Sequence, residues 1–231
     1  EIAVEARRTS DVLTAPFSIT ASILGASVSP NPDTIASATA RQPVDRSYTL
    51  TNLFGDFTGK AVGTALGSAH RDVKTIGHLQ QEEFLVQVPA GATSLRATIG
   101  GTSDKAADLD LFVLKDGKVL GQSADGDSEE SVTIANPAAG TYTVLVDGYA
   151  VPAGSTSYNY VDVFAHPSFG AVSVTDADAL RPAGGSWTVP GTVTANAAPA
   201  AGRVLLGAVQ VRTDANVLIG SGDVIVEAVT P

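Results

Sequence analysis

Apolar and polar residues alternate with a period of two in one short segment after another, and no other feature constrains this chain as strongly. In the first such segment Phe17, Ile19, Ala21 and Ile23 alternate with Ser18, Thr20 and Ser22. A chain written this way places its apolar side chains on one face of a β-strand and its polar ones on the other. The pattern returns at 48–53, 84–88, 95–99, 109–113, 132–134, 142–146 and 158–164, and after His166-Pro167 it restarts at 172–174, 187–194, 204–212 and 223–229. Gly, Pro, Asn and Asp punctuate these segments, as strand ends require. Asp116-Gly117, set between two alternating runs, predicts a tight hairpin. Helical periodicity is nearly absent, and 33–41 has room for a turn or two of helix at most. The expected fold class is all-β, built as tandem antiparallel β-sandwiches.

A length of 231 residues suggests two or three domains. Breaks near residues 75 and 166 give blocks 1–75, 76–165 and 166–231. The central block has strands enough for one closed sandwich or jelly roll, while each flank is short for a full sandwich. Two arrangements satisfy these lengths: two small flanking sandwiches, or one sandwich made from both flanks with the middle block inserted. Separate modules are the expectation.

The charge balance removes whole classes of function. The net charge is −10, and Arg7-Arg8 is the only adjacent basic pair. A nucleic-acid binder needs clustered Lys and Arg to displace counterions from phosphates. Nucleic acid is therefore excluded as a partner, and anionic membrane surfaces are disfavoured. No apolar run reaches the roughly 18 residues of a membrane span, so membrane insertion is not expected. The chain has no cysteine, which excludes disulfides, thiol catalysis and Cys-ligated zinc. It also has no methionine, as expected of an internal or processed piece of a longer protein. Aromatic residues are only 6%, so the cores must be made mainly of Val, Leu, Ile and Ala.

Acidic residues supply the candidate chemistry. Asp108 and Asp110 stand two apart on a strand, so both carboxylates project from the face opposite Leu109, Leu111 and Val113. Asp147 ends a different strand from which it can approach them. Calcium takes six to eight hard oxygen ligands, and Asp108, Asp110 and Asp147 are the candidate calcium set. The loop Asp125-Gly126-Asp127-Ser128-Glu129-Glu130 lacks the twelve-residue EF-hand layout and reads as a solvated hairpin loop. Asp176 and Asp178 form a weaker pair. Tyr142, Tyr158 and Tyr160 share faces with other apolar residues and read as core, whereas Tyr149, beside Gly148, reads as exposed. His70, His78 and His166 are the only histidines, and none stands in a recognisable catalytic block. No catalytic or cofactor-binding residue is expected.

The central block carries a resemblance. Val88-Pro89-Ala90-Gly91-Ala92-Thr93-Ser94-Leu95 leads into Ala107-Asp108-Leu109-Asp110-Leu111-Phe112-Val113. Asp116-Gly117 and Glu129-Glu130-Ser131-Val132 follow, then Asn136-Pro137-Ala138-Ala139-Gly140-Thr141-Tyr142-Thr143-Val144 and Val146-Asp147-Gly148-Tyr149. This order and spacing resembles the bacterial pre-peptidase C-terminal domain, a β-sandwich appended to secreted peptidases. The flanks resemble fibronectin type III-like or immunoglobulin-like β-modules, through Tyr48-Thr49-Leu50-Thr51-Asn52, Trp187-Thr188-Val189-Pro190 and Gly202-Arg203-Val204-Leu205-Leu206-Gly207. The resemblance implies an extracellular, non-catalytic C-terminal accessory region of a subtilisin-like serine peptidase, whose partner is the upstream catalytic domain. Its role would be in stability, in secretion or maturation, or in substrate positioning. It further implies calcium in some members and none in others. Gly101-Thr102-Ser103 is similar to the opening of the subtilisin-like nucleophile motif, but Asp104-Lys105 replaces the Met-Ala that follows there, so a plain turn is expected. A secreted adhesion module that holds a protein or polysaccharide polymer is the alternative reading.

Overall fold

A computed structural model describes residues 23–231, so 17–22 of the first alternating segment lie outside the described residues. The alternation converts directly into burial. In the strand Asp108–Lys115, Leu109, Leu111 and Val113 are fully buried, while Asp108, Asp110 and Phe112 between them are only partly so. Numbered along the chain, the strands are β1 (Ala26–Ser29), β2 (Asp33–Ile35), β3 (Ala38–Thr39), β4 (Pro43–Asn52), β5 (Phe57–Gly63), β6 (Gly67–Gly77), β7 (Gln81–Val88), β8 (Ser94–Gly100) and β9 (Asp108–Lys115). They continue as β10 (Lys118–Ser123), β11 (Ser131–Ala135), β12 (Gly140–Ala150), β13 (Ser155–Ala165), β14 (Gly170–Val174), β15 (Ala179–Arg181), β16 (Ser186–Ala195), β17 (Val204–Thr213), β18 (Leu218–Val226) and β19 (Val229–Thr230). Among the described residues there is no α-helix; one 3₁₀ turn, Pro167–Phe169, precedes β14. The described residues are all-β and built of β-sandwiches.

The central sandwich faces the four-stranded sheet β10-β9-β12-β7 against the run β11-β8-β13-β6. Its core holds Leu95, Ile99, Leu109, Leu111, Tyr142, Tyr158, Tyr160 and Phe164, all at most 2% exposed. Phe84 stacks on Tyr160 with ring centroids 3.7 Å apart, which joins the two sheets at their β6–β7 side. Asp116 and Gly117 have φ of 51° and 73°, the two positive values a tight hairpin turn between β9 and β10 needs.

The flanks are joined strand to strand. β4 pairs with β16 from Pro43↔Thr194 to Thr51↔Ser186, inside the sheet β1-β4-β16-β14. The facing layer is equally mixed, because β5 lies between β15 and β17, and β2 pairs with β18. Strand pairing between the two flanks is what the composite arrangement, with the middle block inserted, requires. Either flank alone would leave the apolar faces of β4 or β16 without a partner sheet and their edges open. The segment 33–41 also departs from the helical turn allowed for it. It forms β2 and β3, and Asp33, 1% exposed, accepts the Tyr48 hydroxyl at 3.0 Å and the Arg46 Nε at 2.8 Å.

β5 and β6 form one ribbon that runs through both sandwiches. β17 pairs first with β5, from Thr213↔Gly59 to Val209↔Gly63, and then with β6, from Leu206↔Gly67 to Val204↔Ala69. β13 occupies the other side of β6 from Ala165↔Gly67 to Ser155↔Gly77. At Gly63 the ribbon passes so close to β14 that a Cβ would collide with the carbonyl oxygen of Val172, which accounts for a glycine inside a strand.

Candidate metal site

β9 is the platform of the site. Its alternation turns Asp108 and Asp110 to the outer face of the β10-β9-β12-β7 sheet. Asp147 on β12 stands directly across from Asp110 in the ladder. Its Oδ2 accepts the Gln81 Nε2 at 3.1 Å.

The loop between β10 and β11 then folds back on the start of β9. The Leu109 N–H donates to the Asp127 carbonyl at 3.1 Å, and the Ser128 hydroxyl donates to the Ala107 carbonyl at 2.6 Å. Inside the loop the Asp125 carboxylate accepts the Asp127 N–H at 3.2 Å, and that of Asp127 accepts the Glu129 N–H at 2.7 Å. These local turns fix the aspartates before any ligand arrives. Glu130 is only 1% exposed; it accepts the Ser123 hydroxyl and the Asp125 N–H, the latter at 3.3 Å. Carboxylate oxygens of Asp125, Asp127 and Glu130 all lie within 4.8 Å of one another.

The two acidic groups act on each other. Burial raises the pKa of Asp108 above the ordinary carboxylate value, and the charges of Asp125 and Asp127 push it further in the same direction. Burial likewise raises that of Asp110, with Asp108, Asp147, Glu130 and Asp125 adding to the effect. Asp108 Oδ1 is buried without a hydrogen-bond partner. A desolvated carboxylate oxygen with no donor, facing further carboxylates, is costly unless a cation satisfies it. The donors are all hard oxygens, the ligand type that suits calcium or magnesium and not the softer transition metals. The residues present therefore fit a calcium ion.

The sequence named Asp108 and Asp110, and the structure sets them beside a second group, Asp125, Asp127 and Glu130, that reads from sequence as a solvated loop. The missed signal is the Asp-x-Asp-x-x-Glu spacing that ends one residue before β11, which ties Glu130 into the sandwich by reciprocal main-chain bonds with Ile99. Asp176 and Asp178 serve differently. Asp176 accepts the N–H of Ala61 at 2.8 Å and the Trp187 indole N–H at 3.0 Å, and pairs with Arg181 at 2.8 Å; Asp178 pairs with Lys60 at 2.8 Å.

The remaining candidates have structural surroundings. The Arg181 guanidinium covers Trp187 at 4.3 Å from the ring centroid. Tyr142, Tyr158 and Tyr160 are at most 1% exposed and Tyr149 is 59% exposed. Ser103 Oγ accepts the Ser157 N–H at 3.0 Å within a turn. His78 Nδ1 accepts the Val151 N–H at 3.3 Å, and His166 Nδ1 meets the Ser168 hydroxyl at 2.7 Å. His70 Nδ1 lies 3.7 Å from Asp162.

Of the comparisons with known proteins, the family match falls on the same central block. Among solved structures, the periplasmic g-type lysozyme inhibitor PliG of Aeromonas hydrophila aligns with 42% of this chain and 87% of its own, at 17% identity and a TM-score of 0.33. A PapD-like domain of human CEP192 aligns with 98% of this chain and 99% of its own, at 8% identity and a TM-score of 0.29. Likenesses that low carry no argument. Pyrolysin of Pyrococcus furiosus is 28% identical over 107 residues, which is 45% of this chain and 8% of that protein. The chain thus spans less than a tenth of the length of that relative. Residues 84–148 match the family model of the bacterial pre-peptidase C-terminal domain, a span that begins in β7, ends in β12 and includes every carboxylate of the site described above.

Proposed function

We propose that this chain is a non-catalytic accessory region of an extracellular subtilisin-like serine peptidase, and that its central sandwich is tightened by calcium. The observation that carries the reading is the pre-peptidase C-terminal match over 84–148, supported by the partial similarity to Pyrolysin. Within this reading the chain has two units. Residues 67–165 form the pre-peptidase C-terminal-like sandwich, and the blocks on either side form one fibronectin-like sandwich into which it is inserted. The partner is a catalytic domain that precedes Glu1 in the parent protein. Asp108, Asp110, Asp125, Asp127 and Glu130 hold the ion, and Asp147 stands beside them opposite Asp110. Calcium supplies charge compensation there, so the loop and β9 become one unit, and the accessory region resists unfolding and proteolysis outside the cell.

Two experiments test this. The parent protein is expressed with and without the described residues, and the half-life of its peptidase activity on heating is measured. The reading expects a shorter half-life after deletion, and a parent without Asp, His and Gly-Thr-Ser-Met blocks upstream of Glu1 sinks it. For calcium, thermal melts of this chain are compared in excess Ca²⁺ and in chelator. Linkage predicts a rise of several degrees with an ion bound to the native state alone. Coincident melts reject the metal and leave the accessory role to the first experiment.

A further inference from the structure

β6 is flanked on both sides only over 67–69, where β17 and β13 pair with it. Over 70–77 it is paired with β13 alone, and among the described residues no strand lies on its other side. Val73, in the middle of this open stretch, is 67% exposed. Its N–H is taken by the carboxylate of its own neighbour Asp72 at 2.8 Å. An N–H satisfied in this way belongs to the open side, and the Asp72 oxygen stands where the carbonyl of an adjacent strand would be. The main-chain groups of Arg71 and Thr75, two residues away on either side, face the same way.

The sequence of this edge is complementary to itself. Read outward from Val73, it has Asp72 then Arg71 on one side and Lys74 then Thr75 on the other. A second β6 laid antiparallel with Val73 opposite Val73 brings each Asp72 opposite a Lys74 and each Arg71 opposite a Thr75. No like charges meet. Because Val73 would be a hydrogen-bonded pair, the Asp72–Lys74 pairs fall on the closer, non-hydrogen-bonded positions, where side chains interact most. In the single chain Lys74 already lies 3.3 Å from Asp72 and 3.4 Å from Glu82, so the charges stand ready at the edge.

We propose that a second copy of this chain docks here, adding its β6 to this one about a two-fold axis through Val73. β17 occupies the edge from Ala69 back and the strand ends at Gly77, so the new ladder is confined to 71–75. A contact that short makes a weak dimer that forms with rising concentration.

Sedimentation equilibrium on the 231-residue chain, from about 10 µM to about 1 mM, reads it directly, as suits a small interface. The weight-average mass rises from 23.4 kDa towards twice that value. Asp72→Lys sets Lys opposite Lys and Lys74→Asp sets Asp opposite Asp, and each keeps the chain monomeric. The double variant D72K/K74D restores opposite charges and with them the dimer. Thermal melts of all three confirm that the fold is intact, and if one single variant does not fold the other serves in its place. A chain that stays monomeric throughout overturns the proposal. So do single variants that dimerise as the parent does, or a double variant no better than the singles. Hydrogen exchange that finds the open-side amides of Arg71 and Thr75 protected in the monomer assigns the edge to another segment of the same chain, residues 1–22 included, and also overturns it.

Discussion

Arg203 and Asp162 meet across the junction of the two sandwiches, one guanidinium nitrogen donating to both the carboxylate and the main-chain carbonyl of Asp162. The Arg203 Nε donates to the Ser68 hydroxyl at 3.1 Å, and a second bond reaches the Ser68 carbonyl at 3.0 Å. Asp162 is 1% exposed and also accepts the Tyr160 hydroxyl at 3.1 Å. Arg203→Met would leave a buried carboxylate without its guanidinium, a class of change that costs about 3–5 kcal/mol. Arg203→Lys restores little, because an ammonium cannot reproduce the planar fork. Urea denaturation of both variants measures this. A loss below about 0.5 kcal/mol for Arg203→Met, the level of an ordinary surface change, contradicts it.

Asp176 makes stability depend on pH in one direction. Burial opposes its charge, but N–H donors from Ala61, Trp187 and Ala177 and the Arg181 cation outweigh that and hold its pKa below the ordinary value. A carboxyl lowered on folding binds fewer protons in the native state. Its contribution is therefore complete above the ordinary carboxylate range and is lost as pH falls through its depressed value. Asp176→Asn should remove about 1.5–3 kcal/mol near neutrality, the range for hydrogen bonds to a charged group, and should flatten the acid limb of the stability profile.

Asp108 and Asp110 act in the opposite direction. Both are raised on folding, so the native state holds protons that the unfolded chain has released. In chelator their effect is a loss of stability as pH climbs from the ordinary carboxylate value through their raised values. Asp110→Asn, which also relieves the charge opposite Asp147, should stabilise the metal-free chain by up to about 1 kcal/mol at neutral pH. Equilibrium unfolding in chelator at pH 5 and pH 7 checks the sign, since these aspartates are the groups near the site raised above their usual range.

The loop carboxylates and the strand carboxylate should separate in calcium titrations. Asp125→Asn or Asp127→Asn removes a charge from the group whose oxygens converge, and should abolish most of the calcium-dependent rise in Tm. Asp147 is already engaged by Gln81, so Asp147→Asn should leave most of that rise. A loss with Asp147→Asn and none with Asp125→Asn or Asp127→Asn would place the ion on the strands instead.

What could be read from the sequence follows from how evenly each strand divides its two faces. β9, β12 and β13 alternate cleanly because one face meets the core and the other meets water, so their core residues and the outward turn of Asp108 and Asp110 were legible. β5 and β6 were not. Gly59 and Gly63 stand where neighbouring main chain leaves no room for a side chain, and Ser68 and Ala69 are buried on opposite faces of β6, which erases the period of two. The pairing of β4 with β16 joins residues more than a hundred positions apart, and no local pattern encodes it. Half of the acidic site was hidden for a related reason. The loop 124–130 has the composition of a wet turn, and only its return over β9, held by Ser128 and Glu130, gives it a second identity.

The pairing of Ala165 with Gly67 has a consequence for how such a chain can change over generations. On the two-unit reading proposed above, the central sandwich leaves and rejoins its host at two residues that sit side by side in one ladder, about 5 Å apart as antiparallel partners are. A gene could lose everything between them, or receive it, and the surrounding sandwich would have only that narrow gap to close. The middle of this chain is attached like a cartridge, seated by Arg203 and carried on a strand that its host must build in any case.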